Sequence, residues 1–401
     1  MGRKDSQVAL SVRKDIGKRV SVCPNGPGPP SIPLDLNPCG VLLRISSMSS
    51  VSTRGRGASD SPKKRRIRRR KTPGPSTSIG YCPYPIDTDP AHFGLTTGFI
   101  STRFGTVVVR HGRRTTAGTA TILLHGGAGS WTTWTPLIRA AEQRAASHSA
   151  ADSPEYSAFT DLVIPDLPGW GDTALPPNKE FLTLDALANT VAEIARSLGY
   201  TRWIVLGHSL GGSVALQLAS AEVGATTFVG LVSASTFAVI DSVRHPVTRF
   251  VGLPAYITLL QMTRALSLFE RAGRRFVRDI ARMSLLRPVV APLFRHPLLI
   301  DASVLDTLAS GVRPRAFAIA SEHAHTFDAH RAWSRIECPV RATHGDSDVF
   351  VAATDDERLR VVIRDFHVQT IPGTGHFGHV ERPYETLSAL LGRPRLQHAR
   401  Q

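Results

Sequence analysis

The segment Gly207-His208-Ser209-Leu210-Gly211 constrains this chain more than any other. It follows the apolar run Arg202-Trp203-Ile204-Val205-Leu206 and precedes Gly212-Ser213-Val214-Ala215-Leu216-Gln217-Leu218-Ala219. That order reads as a buried strand, a tight turn and a helix. A serine on such a turn is pushed into a strained, exposed position at the end of a sheet. Glycines two residues to either side let the strand and helix backbones approach without Cβ clashes. A Gly-x-Ser-x-Gly pentapeptide alone says little in a chain rich in glycine and serine, so its setting has to carry the argument.

The setting is a series of apolar runs, each ending in a glycine-rich turn. Thr121-Ile122-Leu123-Leu124 runs into His125-Gly126-Gly127-Ala128-Gly129-Ser130, and Leu162-Val163-Ile164 into Pro165-Asp166-Leu167-Pro168-Gly169-Trp170-Gly171-Asp172. Val340-Arg341-Ala342-Thr343-His344 leads to Gly345-Asp346-Ser347-Asp348. Val368-Gln369-Thr370-Ile371 leads to Pro372-Gly373-Thr374-Gly375-His376-Phe377-Gly378-His379, with Glu381 and Pro383 beyond. Three of these turns supply Ser, Asp and His in that order. Between them, Leu184, Leu187, Val191, Ile194 and Leu198 repeat at helical spacing, with Thr183 placed to cap the helix and Gly199 to end it. Alternating helices and near-continuous apolar strands predict a parallel sheet covered on both faces.

The alternation stops between about Ser235 and Glu337, where the signals are helical, and resumes at Cys338. In this stretch Leu259, Met262, Leu266 and Phe269 form a stripe that reads as core packing beside a pocket. Arg271, Arg274, Arg275, Arg278 and Arg282 form a second, basic stripe, read as solvated surface or a face for an anionic partner. Residues 1–90 are rich in Pro, Gly and Ser and contain the block Lys63-Lys64-Arg65-Arg66-Ile67-Arg68-Arg69-Arg70-Lys71. Such a segment cannot bury enough apolar area to offset its ordering entropy, so it is expected to be disordered. Four parts follow: a basic tail over 1–90, a core over 91–235, a helical insertion over 236–337, and a second core part over 338–401 ending in a short basic tail.

With these runs and turns in view, residues 97 to 393 resemble the α/β-hydrolase superfamily, in its cap-bearing serine hydrolase and esterase branch. The resemblance implies an α/β-hydrolase fold, a mostly parallel doubly wound sheet with an inserted helical cap. It implies a catalytic triad of Ser209 as nucleophile, His376 as base and Asp348 as the acid orienting the base. A serine hydroxyl needs such a base, because it is barely ionised at neutral pH. His379 and Asp346 are the rival base and acid, and Asp241 is an outside candidate for the acid. The implied oxyanion hole is made of backbone N–H groups from Leu210 and from the turn after His125-Gly126, at Gly127. Trp131, Trp134 and Phe377 are candidates for lining the pocket, and His125 and the two acids of Asp166–Asp172 read as structural.

The resemblance implies an enzyme that needs no cofactor and no metal and cleaves a small or medium apolar carboxylic ester. A carbon–carbon bond hydrolase, a lactonase or a cofactor-free peroxidase-like enzyme would use the same triad. Dehalogenases and epoxide hydrolases of this fold place aspartate where Ser209 stands. A reading of another class is a binding protein on a hydrolase scaffold, tethered by its basic tail.

Composition limits the partners. The net charge is +16 in 401 residues, but it is unevenly placed. Residues 1–90 hold 17 Lys/Arg against 6 Asp, and residues 236–337 hold 14 Arg against 8 acidic residues. The basic character therefore belongs to the tail and the insertion, and Lys63–Lys71 reads either as a plain solvated tail with no specific role or as a patch for nucleic acid or an anionic membrane. No apolar run approaches a membrane span, and no apolar core follows the basic start, so no signal peptide is expected. Met48 offers a second possible start. The four cysteines, Cys23, Cys39, Cys82 and Cys338, form neither a disulfide framework nor a zinc pattern, which fits a reducing, cytoplasmic setting.

Overall fold

A computed structural model describes residues 80–147, 159–245, 253–269 and 286–392, together with Gly273, Arg275 and Asp279. The block Lys63–Lys71, Cys23, Cys39 and all of the arginine stripe except Arg275 lie outside the described residues.

Among the described residues eight strands form one sheet: β1 Leu95–Thr102, β2 Gly105–Gly112, β3 Thr119–Leu124, β4 Leu162–Pro165, β5 Arg202–His208, β6 Thr226–Val232, β7 Val340–Gly345 and β8 Phe366–Ile371. Their spatial order is β1-β2-β4-β3-β5-β6-β7-β8. β1 and β2 are an antiparallel hairpin, and β2 also pairs antiparallel with β4. Every other pair is parallel, as the continuous apolar runs predict.

Side-chain alternation divides the core between the two faces. Ile122, Leu124, Val205 and Leu231 point into one buried cluster, beneath α2 Leu184–Ser197 and α3 Leu210–Ala221. Their neighbours Leu123, Leu206 and Val232 point into another, beneath α1 Thr135–Ser147. Thr183 caps α2 through an acceptor bond from the Ala186 N–H at 3.2 Å, and Gly199 ends the helix region at φ 84°.

Strand register sets where the site falls. Leu124 pairs with Gly207, His208 with Val232, Val232 with Thr343, and Gly345 with Ile371. The loops that follow β3, β5, β6, β7 and β8 therefore emerge at one edge. The chain order turns back between β3 and β5, and open α/β sheets form ligand crevices at the carboxyl edge beside such a point.

Between β6 and β7 the described chain is helical. It comprises α4 Phe237–Arg244, α5 Pro254–Ser267, α6 Leu286–Val290, α7 Ala302–Gly311, α8 Pro314–His323 and α9 Ala329–Trp333. Trp333 is fully buried with the sheet residues, so the insertion has returned to the core before β7 begins.

Two expectations need correction. The face that α5 buries is Tyr256, Ile257, Leu260 and Thr263, whereas Met262 is 42% and Phe269 71% exposed. The true apolar face lies one position away from the stripe read off the sequence, because the helix packs on α4, on Phe317 of α8 and on Phe350 after β7 rather than through Met262. Residues 80–90 also depart from the expected disordered tail. They pack on the body, with Ile86 only 7% exposed, because Tyr81, Cys82 and Ile86 find an apolar surface made by the insertion and by Phe377 and Val380. No helix among the described residues is long and apolar enough to cross a membrane.

Candidate active site

Ser209 sits between β5 and α3 at φ 50° and ψ −117°, a conformation that costs a non-glycine residue free energy and aims the hydroxyl outward. The turn is possible because of its glycines: a Cβ on Gly207 would lie 2.3 Å from the Gly211 carbonyl oxygen, and one on Gly211 would lie 2.2 Å from that of Leu124. The Ser209 hydroxyl lies 3.2 Å from the Ser235 hydroxyl.

His376, in the loop after β8, faces the same cavity as Ser209. Its Nδ1 is 3.0 Å from both carboxylate oxygens of Asp348. The Asp348 side chain is fully buried. Burial alone would raise its pKa, but His376 and the Phe350 N–H, 2.8 Å away, outweigh that and hold it below the usual range. With Nδ1 committed to Asp348, Nε2 is the nitrogen left for the cavity.

The rival residues have other partners. The Asp346 carboxylate accepts from the Gly373 N–H at 3.0 Å and the Thr374 N–H at 3.3 Å, bracing the turn before His376. Asp241 pairs with Arg358 at the surface. His379 is fully buried against Trp134 and His208 and does not line the cavity.

The turn after β3 supplies two oriented peptides. The Gly126 carbonyl accepts from His125 Nδ1 at 2.8 Å and from the Gly129 N–H at 3.1 Å. In a trans peptide the N–H points opposite the carbonyl, so the Gly127 N–H is turned away from that bonded side. Trp170 Nε1 donates to the Gly127 carbonyl at 2.8 Å and fixes the next peptide. His125 Nε2 accepts from the Leu167 N–H at 3.0 Å, so the ring is a neutral brace, and burial lowers its pKa accordingly. Leu210 opens α3, where an N–H has no partner within the helix. Neither the Gly127 nor the Leu210 N–H has a protein acceptor among the described residues. Both residues line the cavity.

The cavity measures about 70 Å³ and is mostly apolar. That is room for roughly five water-sized groups. The insertion contributes Val239, Tyr256, Leu259, Leu293 and Phe317 to its wall, and Phe350 and Phe377 complete it beside His376. Of the three aromatics proposed as lining, Phe377 is there. Trp131 and Trp134 are not: both are buried in the cluster under α1, because the short 3-10 turn Trp131–Trp134 directs them down into the core. The sequence reading missed Ser235, Tyr256, Phe317 and Phe350. Ser235 had a usable signal, since it lies three residues beyond the apolar run that becomes β6. The other three depend on how the insertion and the loop after β7 fold over the sheet.

The profile described as the alpha/beta hydrolase family matches residues 121–390. The chain belongs to that family, and its mostly parallel sheet is the fold described above. Among curated proteins it is 30% identical to epoxide hydrolase 4 of Mus musculus over 98 residues, 24% of this chain and 23% of that protein. The chain thus matches about a quarter of the length of that relative. It is 25% identical to an uncharacterized protein of Mycobacterium bovis over 276 residues, 67% of this chain and 72% of the other. Among solved structures it resembles a thermophilic esterase from Thermogutta terrifontis, with TM-score 0.53 and 17% identity over 73% of this chain and 96% of the other. The serine hydrolase CCSP0084 from Cycloclasticus zankles is similar at TM-score 0.51 and 17% identity, over 74% and 96%. At such identities these two structures speak for the fold.

Proposed function

We propose that this protein is a serine hydrolase that cleaves small-to-medium apolar carboxylic esters through an acyl-enzyme on Ser209. The observation that carries the reading is the convergence on one apolar cavity of Ser209 at its strained elbow and His376 paired with buried Asp348. In this reading the ester carbonyl lies against the Gly127 and Leu210 N–H groups. The Ser209 hydroxyl leaves Ser235, gives its proton to His376 Nε2 and attacks the carbonyl carbon. Asp348 holds the imidazolium without taking the proton. The two N–H groups meet the oxygen as it becomes negative, with α3 adding its N-terminal dipole. His376 returns the proton to the departing alcohol, and a water activated by His376 then releases the acid.

Chain length follows from the wall. A cavity of about 70 Å³ suits a short acyl group, and longer chains require the helical insertion to shift. A neutral, apolar lining favours esters over charged substrates. The test is fluorophosphonate labelling of wild type and Ser209→Ala, with mapping of the adduct, beside hydrolysis of a p-nitrophenyl ester series. Labelling confined to Ser209 and turnover of short acyl esters are expected. A well-folded protein that neither labels nor turns over any ester would refute the reading.

A further inference from the structure

Residues 80–93 lie outside the stretch matched by the family profile, yet they pack against the loop that carries His376. Ile86 joins Val290, Phe294 and Ile300 of the insertion and Phe377 and Val380 of the loop in one buried cluster. The Ile86 N–H donates to Ser303 Oγ at 2.8 Å, and the Cys82 N–H donates to the Glu381 carbonyl at 2.8 Å.

The polar centre of this assembly is the Glu381 side chain, which is fully buried. It accepts from the Gly375 N–H at 3.0 Å and the Phe377 N–H at 3.1 Å, the residues immediately before and after His376. It also accepts from the Arg295 N–H of the insertion at 3.0 Å and from the Tyr81 hydroxyl at 2.7 Å. Tyr81 in turn accepts from the His296 N–H at 3.1 Å. Four donors on two oxygens define an acceptor-only group, which a carboxylate is and an amide is not. The His376 N–H itself donates to the Leu293 carbonyl at 2.8 Å. The insertion backbone comes so close that a Cβ on Gly375 would lie 2.7 Å from the Leu293 oxygen and 2.9 Å from Phe294 Cα. The backbone of the His376 loop is thus held by the insertion and by Glu381, and Tyr81 joins the N-terminal segment to both.

We propose that Glu381 is a positioning residue for His376, and that Tyr81 supports it by holding the same carboxylate. Glu381 sets the backbone on both sides of the imidazole, and Tyr81 keeps the insertion segment Leu293–His296 docked on the same carboxylate. This rests on the reading of Ser209, His376 and Asp348 as a triad. Its consequence is that the helical insertion and the base move together, because one buried carboxylate binds both.

The test uses the full chain with Tyr81→Phe, Glu381→Gln and, as a control in the same cluster, Ile86→Val. Readouts are kcat and KM on the best p-nitrophenyl ester, the rate of fluorophosphonate labelling at Ser209, and Tm. Tyr81→Phe is expected to lower kcat and the labelling rate about fivefold, and Glu381→Gln on the order of 10²-fold, since small misplacements of reacting groups cost that much. KM should stay within about twofold, and Ile86→Val should lower Tm while leaving kcat unchanged. Wild-type kcat in folded Tyr81→Phe and Glu381→Gln would overturn the positioning role, as would losses that simply follow Tm in all three variants. A wild type that neither labels nor turns over ester would remove the triad reading, and the proposal with it.

Discussion

His208 Nε2 lies 3.0 Å from the carbonyl oxygen of His376, so the residue before the candidate nucleophile holds the backbone of the candidate base. The bond crosses from the end of β5 to the loop after β8, joining two segments 168 residues apart in the chain. His208 is fully buried, and burial, with His379 and His376 nearby, keeps it neutral. A neutral ring donating from Nε2 carries no proton on Nδ1, which has no partner among the described residues.

His208→Phe keeps an aromatic ring but removes that donor. Steady-state kinetics should show kcat lowered about tenfold with KM little changed, because the imidazole of His376 loses its register. Denaturant unfolding should show a loss of about 1–3 kcal/mol for the carbonyl left without a partner.

Ser209→Ala is expected to lower kcat on the order of 10⁴-fold or more. Any residual rate should be tested with an enzyme freed of contaminating esterase by a second column step. A variant that keeps a tenth of wild-type activity would exclude Ser209 as nucleophile.

Asp348→Asn and Asp346→Asn separate the two carboxylates of one turn. Asp348→Asn should lower kcat on the order of 10³- to 10⁴-fold by upsetting the His376 tautomer. Asp346→Asn weakens the bracing of Gly373 and Thr374 and should cost about threefold or less. The reverse order would reassign the acid.

Phe317→Ala widens the cavity where α8 meets Gly127. The ratio of kcat/KM for an octanoyl over a butyryl ester should rise about tenfold, since pocket methylenes are worth that order of discrimination. An unchanged ratio would place the acyl chain elsewhere.

Acid should destabilise the fold through its buried histidines. Burial, then the nearby His376, pushes His379 down from 6.5 to about 3, and both its ring nitrogens lack protein partners among the described residues. The folded state therefore refuses a proton that the unfolded chain takes up. Its contribution is intact above about pH 6.5 and is lost as pH falls toward 3. Tm measured across that window should drop with acidification. His379→Leu should make the slope shallower without abolishing it, because His208 and His125 are shifted the same way.

Much of the sheet was legible because its strands are continuous apolar runs that end in glycine turns. The α2 helix was readable down to Thr183 and Gly199, since capping is a local interaction. Reading failed where a residue's surroundings come from distant chain. Trp131 and Trp134 follow the β3 turn closely, yet a 3-10 turn points them into the core, and nothing in their spacing predicts it. Met262 and Leu260 are both apolar, and the docking of α5 decides that Leu260 is buried. Glu381 stood in view beside His376, but its donors come from Tyr81, Arg295, Gly375 and Phe377, and no local pattern gathers them.

By itself the sequence determined the alternation of strands and helices, the elbow at Ser209 and the turns that end in Asp348 and His376. Those features follow from periodicity and backbone sterics over a few neighbouring residues. Tertiary structure alone decided which residues wall the cavity, that Ser235 faces Ser209, and that the segment from Gly80 belongs to the body. Burial and hydrogen-bond partners are properties of packing between remote segments, and a side chain's role there is set by what the fold brings beside it.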